Sequence, residues 1–172
     1  MPSPLRPITS PAPHGGTGEL GWLLVAFVEE LPGVHAAVLG TLDGLALASA
    51  GLTPPQDDQF AAVATSQHSA GKAGGNITDP AGGDVQLVIV QLAHKTLFVM
   101  NTQQGEGPDT AAQPSLLTVV AARDADPRMV GSEMTKLIAS VAPHLGAATR
   151  TSPSVNSSGS FPTGGTDAWG RR

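Results

Sequence analysis

The apolar positions of this chain change their period several times, and each change marks an element. From Leu20 onward the apolar residues Leu20, Leu23, Leu24, Phe27, Val28 and Leu31 recur at i, i+3, i+4 and i+7. That spacing lines one stripe of an α-helix, with Glu29 and Glu30 off the stripe. Pro32 and Gly33 end the helix, because proline lacks a backbone donor and glycine accepts the positive φ of a helix end. Two short apolar runs follow, Val34 to Gly40 and Leu45 to Ala50, separated by Thr41-Leu42-Asp43-Gly44. They predict a β-hairpin with Asp43-Gly44 in a tight type I′ turn.

Thr53-Pro54-Pro55-Gln56 predicts the start of a second helix, with Thr53 as N-cap, Pro54 at the first helical position and Gln56 closing a capping box. Asp57 and Asp58 add charge that suits the positive end of the helix dipole. The body runs through Phe60, Ala61, Val63, Ala64, Gln67, His68 and Gly71 and is expected to stop at Gly74-Gly75. Most of its side chains are Ala, Ser or Gly, so another backbone can approach closely. That backbone is either the helix's own sheet or a copy of the helix itself, and the pattern alone leaves both open. Val85 to Leu92 and Thr96 to Asn101 flank Ala93-His94-Lys95 as a second hairpin. A Gly/Pro-rich connection, Thr102 to Ser115, leads to a fifth strand at Leu116 to Ala122. Asp126-Pro127 then caps a last helix with Val130, Met134, Leu137, Ile138, Val141 and Leu145 as its apolar stripe, which Pro143 is expected to kink or end. The order α-β-β-α-β-β-β-α predicts an α+β domain, a mainly antiparallel five-stranded sheet with helices on both faces.

Composition narrows the function. Residues 1–18 and 151–172 are rich in Pro, Gly, Ser and Thr and lack apolar periodicity. Such segments cannot offset their ordering entropy, so both are expected to be disordered tails around one domain at 19–150. That domain carries six Lys/Arg against thirteen Asp/Glu, a net charge of −7. An acidic domain with few aromatics is a poor partner for nucleic acid. The chain has no Cys, hence no disulfide framework and no thiolate metal site. The amino terminus lacks an apolar core of signal-peptide length and no run approaches a membrane span, so a cytoplasmic location without membrane insertion is the expectation.

Little catalytic chemistry emerges. A phosphate-binding loop needs G-x-x-x-x-G-K-[ST]. Its nearest approach is Gly71-Lys72, where Ser66 replaces the first glycine and Ala73 the hydroxyl residue. His14, His35, His68, His94 and His144 form no pair at i, i+4 and read as surface or turn residues rather than metal ligands. Asp126 reads as an N-cap and Asp124 as a solvated loop residue. No G-x-S-x-G elbow exists, and Gly105-Glu106-Gly107 lacks the strand-to-helix junction of a dinucleotide site. No catalytic, cofactor-binding or metal-binding residue is assigned, and the chain is not expected to be an enzyme.

The segment LxWLLxxFVxxxPGVxxAxxxxxDGLxLAxS is present in register as Leu20, Trp22, Leu23, Leu24, Phe27, Val28, Pro32, Gly33, Val34, Ala37, Asp43, Gly44, Leu45, Leu47, Ala48 and Ser49. It resembles the opening of the actinobacterial branch of the roadblock/LC7 family, regulators that work beside Ras-like small GTPases. The LFVM of Leu97 to Met100, the VVAA of Val119 to Ala122 and the VGSEMTKLI of Val130 to Ile138 extend the resemblance over residues 19–150. The Thr102 to Ser115 connection departs from it, being longer than the family's tight turn. The resemblance implies a profilin-like αββαβββα sandwich with the central helix on one face and the terminal helices on the other. It also implies a homodimer in which the central helix and third strand of each copy meet. Phe60, Val63, Ala64, Gln67, Val85, Leu87 and Ile89 are the interface candidates, with plain core packing as the competing reading. The implied function is a non-enzymatic adaptor that binds a Ras-like small GTPase and modulates its nucleotide cycle, in a branch associated with membrane-linked histidine kinases. A small-molecule-sensing domain is the alternative; it needs a polar-lined cavity, and few polar residues converge to line one.

Removing residues 1–18 and 151–172 together is expected to move the thermal midpoint by no more than about 2 °C, since neither segment offers the core an apolar face. Calorimetry of the full and shortened chains checks this. A blue-shifted Trp169 emission in a Trp22→Phe background would show instead that the carboxyl tail docks.

Overall fold

The computed structural model describes residues 18–78, 84–103 and 114–148. Residues 1–17 and all of 151–172, with His14 and Trp169, and residues 104–113 of the Thr102 to Ser115 connection, with Gly105-Glu106-Gly107, therefore lie outside the described residues. Eight elements follow in the expected order: α1 Gly18–Glu30, β1 Val34–Thr41, β2 Ala46–Ala50, α2 Pro54–Thr78, β3 Leu87–Gln91, β4 Lys95–Asn101, β5 Ser115–Ala122 and α3 Pro127–Ala148. The five strands form one sheet in the order β2-β1-β5-β4-β3, and every neighbouring pair is antiparallel. The last strand thus enters the middle of the sheet and joins the two hairpins, leaving β2 and β3 as its edges.

Helices cover both faces. The stripes of α1 (Leu20, Leu24, Phe27) and α3 (Val130, Met134, Leu137, Ile138, Val141, Leu145) share one core with Leu39, Phe98, Met100, Leu117 and Val119 of the sheet. This is the larger core, and the apolar area it removes from water supplies most of the hydrophobic stabilisation. On the opposite face α2 sits on a smaller cluster built around Ala64, Val99 and Leu116, with Leu42 and Val88 at its margin.

Two local expectations are corrected and a third is narrowed. The first hairpin turns through three residues rather than two. Gly44 N donates to Thr41 O at 3.0 Å, Thr41 N donates to Leu45 O at 2.9 Å, and Gly44 takes φ +85°. The left-handed glycine at the loop's exit belongs to the three-residue hairpin class, not to a two-residue type I′ turn. The second correction concerns α2, which continues through Gly74-Gly75 to Thr78. Neither glycine takes a positive φ, and Thr78 Oγ1 donates back to Gly74 O at 3.3 Å and Gly75 O at 3.1 Å. Glycine lowers helix propensity without ending a helix unless it adopts the left-handed geometry. Third, of the kink or end expected at Pro143, the end is excluded, because α3 runs on to Ala148. Pro143 and Ala139, whose carbonyl the proline leaves unpaired, are both exposed, so water can solvate that carbonyl. Val141 and Leu145 stay buried and hold the last turns to the core.

Gly51 marks the tightest point of the fold. It has φ +79°, and an added Cβ would lie 2.2 Å from His35 O. Gly51→Ala is expected to destabilise by roughly 2–4 kcal/mol through combined backbone strain and steric overlap. Gly74 is helical with nothing within 4 Å of an added Cβ. Gly74→Ala is expected to stabilise by about 0.5–1 kcal/mol, because alanine loses less backbone entropy in a helix. Urea unfolding of both variants reads the opposite signs directly.

Candidate functional site

Two polar anchors fix the start of α2. Thr53 N and Thr53 Oγ1 both donate to Gln56 Oε1, at 3.0 and 2.8 Å, and Thr53 O accepts from Gln56 N at 2.8 Å. Gln56 thus reaches back to the N-cap N–H, one half of a capping box; the Thr53 hydroxyl donates to the Gln56 side chain while Gln56 N donates to Thr53 O. Below it, Asp57 is buried, and its Oδ2 accepts a 2.7 Å hydrogen bond from Ser49 Oγ of β2. Sequence reasoning read Asp57 only as a charge at the helix end. Its role as a tie to β2 was not legible, because seven residues, with the turn at Gly51 among them, separate it from Ser49.

The helix then lies close to the sheet. An added Cβ on Gly40 of β1 would be 3.1 Å from the Ala61 Cβ, and one on Gly71 would be 3.2 Å from a Val85 methyl. With Ala61 and Ala64 spent against the sheet, the larger side chains of α2 fall to its flank. There they form a groove of about 340 Å³, lined by Gln59, Phe60, Val63 and Gln67 of α2 and by Val90, Leu92 and Leu97 from the second hairpin. Val63 is 43% and Leu92 48% exposed. The groove runs beside β3, whose outer edge has no strand neighbour among the described residues.

The interface candidates separate on these coordinates. Phe60, Val63 and Gln67 line the groove together. Ala64 is buried in the core beneath α2, and Val85 packs against Gly71. Leu87 packs on the α1/α3 core, and Ile89 shares that face because it pairs with Phe98 of the same core. The β3 residues turned toward α2 are Val88 and Val90. Val90, Leu92 and Leu97, which complete the groove, carried no signal of their own in the sequence. The run Leu87-Val88-Ile89-Val90 is apolar throughout and lacks the alternation that would reveal which residues face which way.

The histidines do not converge. His35 and His94 are exposed and His144 is half-buried. His68, expected at the surface or in a turn, is instead buried on α2. Burial lowers its pKa from the ordinary 6.5, as does the charge of Lys72 one turn on, while Asp84 opposes them. Asp126 acts as the expected N-cap, with its Oδ1 accepting from Arg128 N at 2.9 Å. Among the described residues no group of three His, Asp or Glu could hold a metal ion. None of their helices is long and apolar enough to cross a membrane.

Known proteins agree with this architecture. The profile of the Roadblock/LC7 domain matches residues 20–106, and a Roadblock/LC7 domain crystal structure from Streptomyces avermitilis is 36% identical to the chain. The chain belongs to the roadblock/LC7 family. The match to the Streptomyces roadblock/LC7 domain covers 73% of this chain and 96% of that one, with a TM-score of 0.63. MglB from Myxococcus xanthus shares the fold at 12% identity and a TM-score of 0.59, over 76% of this chain and 97% of that one. The gliding protein MglB from Thermus thermophilus does so at 20% identity and a TM-score of 0.55, over 76% and 96%. No curated protein matches the chain.

His68 makes stability depend on pH in a stated direction. Its folded pKa is depressed, so between that value and the unfolded 6.5 the unfolded chain binds more protons. The stability is fully present above 6.5 and is lost as pH falls toward the folded value. His68→Gln is expected to flatten the decline in unfolding free energy between about pH 7 and 5, read by urea titrations at both ends.

Proposed function

We propose that this chain is a non-enzymatic, homodimeric regulator of a Ras-like small GTPase, working as an adaptor in a cytoplasmic signalling complex. Membership of the roadblock/LC7 family, at 36% identity over nearly the whole Streptomyces domain, is the observation that carries this reading. The groove supports a protein partner because its apolar side chains Val63 and Leu92 stand partly exposed beside a strand edge that has no neighbour among the described residues. The involvement of a histidine kinase belongs to the same reading, through the branch that the opening motif resembles.

The dimer half of the proposal rests on β3 and α2. Residues 85–92 carry no charged side chain and no proline. Exposed edge strands that remain monomeric are usually protected by such residues. The groove side chains of α2 are likewise uncharged. In a domain of net charge −7, a neutral face is where two copies approach with least repulsion. A two-fold contact along β3, with α2 packing on α2, satisfies the free backbone groups and covers the groove.

Light scattering at micromolar concentration is expected to give the mass of two subunits. Val63→Arg should reduce it to one while leaving the thermal midpoint within about 3 °C, since Val63 is half-exposed in the single copy and its charge becomes costly only when the face is covered. The regulatory half is tested by titrating a candidate small GTPase loaded with GDP or with a slow GTP analogue. The chain alone should neither bind nor hydrolyse GTP, and its affinity for the two loaded forms should differ, because a regulator shifts a nucleotide cycle only by binding its states unequally. Equal affinities would reduce it to a scaffold. Saturable uptake of a metabolite, with no GTPase binding, would favour a sensor.

A further inference from the structure

The outward face of α1 carries a large aromatic side chain in the open. Trp22 is 65% exposed, whereas tryptophan is on average well buried in folded proteins. Leu20, Leu24 and Phe27 turn the opposite side of the helix into the core, and the helical period places Trp22 on the far side from them. Ala26 follows one turn on and is half-buried; Glu29 and Glu30 follow after a second turn and are exposed. The small Ala26 side chain leaves a shallow seat between the indole and the two carboxylates. α1 packs on β1, β2 and α3, at the side of the sheet farthest from β3. The face therefore stays accessible whether or not two copies meet along β3.

The charge of this part of the chain has one sign. Between Gly18 and Gly71 there is no Lys or Arg, while Glu29, Glu30, Asp43 and Asp58 are exposed there. The described cations, Lys72, Lys95, Arg123, Arg128 and Lys136, all come later. An exposed tryptophan suits a membrane interface, but a surface of this charge repels anionic lipid headgroups. Nucleic acid is repelled in the same way. A second copy presenting the same face would bring acid to acid. A metabolite needs an enclosing pocket, which the convex side of a helix cannot supply. A protein segment with positive side chains meets none of these objections.

We infer that the outer face of α1 docks a basic amphipathic segment of a partner protein, with an Arg or Lys side chain over the Trp22 indole, a second cation at Glu29 or Glu30, and an apolar side chain on the Ala26 seat. This goes beyond the regulator reading and does not depend on it. An exposed ion pair alone contributes little, so the indole supplies most of the affinity, through apolar contact and through the attraction of its π face for a cation. A large side chain with few rotatable bonds loses little entropy when covered, which suits tryptophan to anchor an interface. The carboxylates select the sign of the partner and speed its approach, an effect that salt screens.

The test uses the full chain with Trp169→Phe, which leaves Trp22 as its only tryptophan. The probe is a synthetic peptide of about fifteen residues, built of lysine and leucine in amphipathic helical spacing and free of aromatic side chains. Saturable binding should shift the Trp22 emission to the blue and weaken at least about threefold between about 0.05 and 0.5 M salt. With a dye on the peptide and anisotropy as the readout, Trp22→Ala should weaken binding at least about tenfold. Glu30→Lys should weaken it at least about fivefold, and Asp84→Lys, an equal change of net charge just before β3, less than about twofold. The emission shift needs no change at the site itself, so it still decides the matter if a variant fails to fold. No saturable binding, an unchanged affinity in Trp22→Ala, equal losses in Glu30→Lys and Asp84→Lys, or tighter binding to phosphatidylglycerol vesicles than to the peptide would overturn the inference. So would a Trp22 emission already blue-shifted before any addition, which would show one of the chain's own tails on this face.

Discussion

The close seat of α2 on the sheet is the constraint on which the rest of this domain depends. Gly40 lies beneath Ala61 with no room for a side chain, and Gly71 stands against Val85 and Val88 in the same way. The buried apolar side chains of α2 are only the methyls of Ala61 and Ala64, with Asp57 and His68 as its buried polar groups. Packing this thin yields little apolar burial, so the face is held by geometry and by polar ties at its start, the Thr53 and Gln56 box and the bond between Ser49 and Asp57. The same thinness displaces Phe60, Val63 and Gln67 to the flank, and the groove exists for that reason. A bulkier helix would have filled its own sheet and left no recess beside β3.

The two faces of the sheet therefore do different work. The α1/α3 face holds the large side chains, among them Leu24, Phe98, Leu117 and Met134, all essentially inaccessible to water. This is where the unfolded chain loses most by opening. The α2 face contributes less to burial and presents the neutral groove, beside an edge strand without charge or proline. In a domain carrying a net charge of −7, the lining of this groove is uncharged, and it lies apart from the main core.

Local chemistry was legible wherever neighbouring residues decided it. The stripes of α1 and α3, the proline-glycine stop after α1, the Gln56 half of the capping box at Thr53 and the N-cap at Asp126 all follow from spacings of a few residues, and the structure holds each of them. The opening motif likewise pointed to the roadblock/LC7 family from residues that fix the first helix and hairpin. Local reasoning misjudged Gly74-Gly75, because composition marks glycine as a breaker while only backbone geometry says whether it takes the left-handed form. It misjudged the first turn for a similar reason: Asp43-Gly44 suits two hairpin classes, and the hydrogen bonds of Thr41 select the longer one.

By itself, the sequence determined the kind and order of the elements, the two caps, the acidic balance and the absence of thiol chemistry, since each depends on residue type and near spacing alone. Tertiary structure decided which way β3 faces. Its run of apolar residues has no period to read, and a shift of one residue exchanges its two faces. Only pairing with β4, Val88 opposite Val99 and Val90 opposite Leu97, turns Val88 and Val90 toward α2 and sends Leu87 and Ile89 to the opposite side. Tertiary structure also buried His68 and tied Asp57 to Ser49, because burial and long-range pairing are properties of the assembled layers and leave no mark on the adjacent residues of the chain.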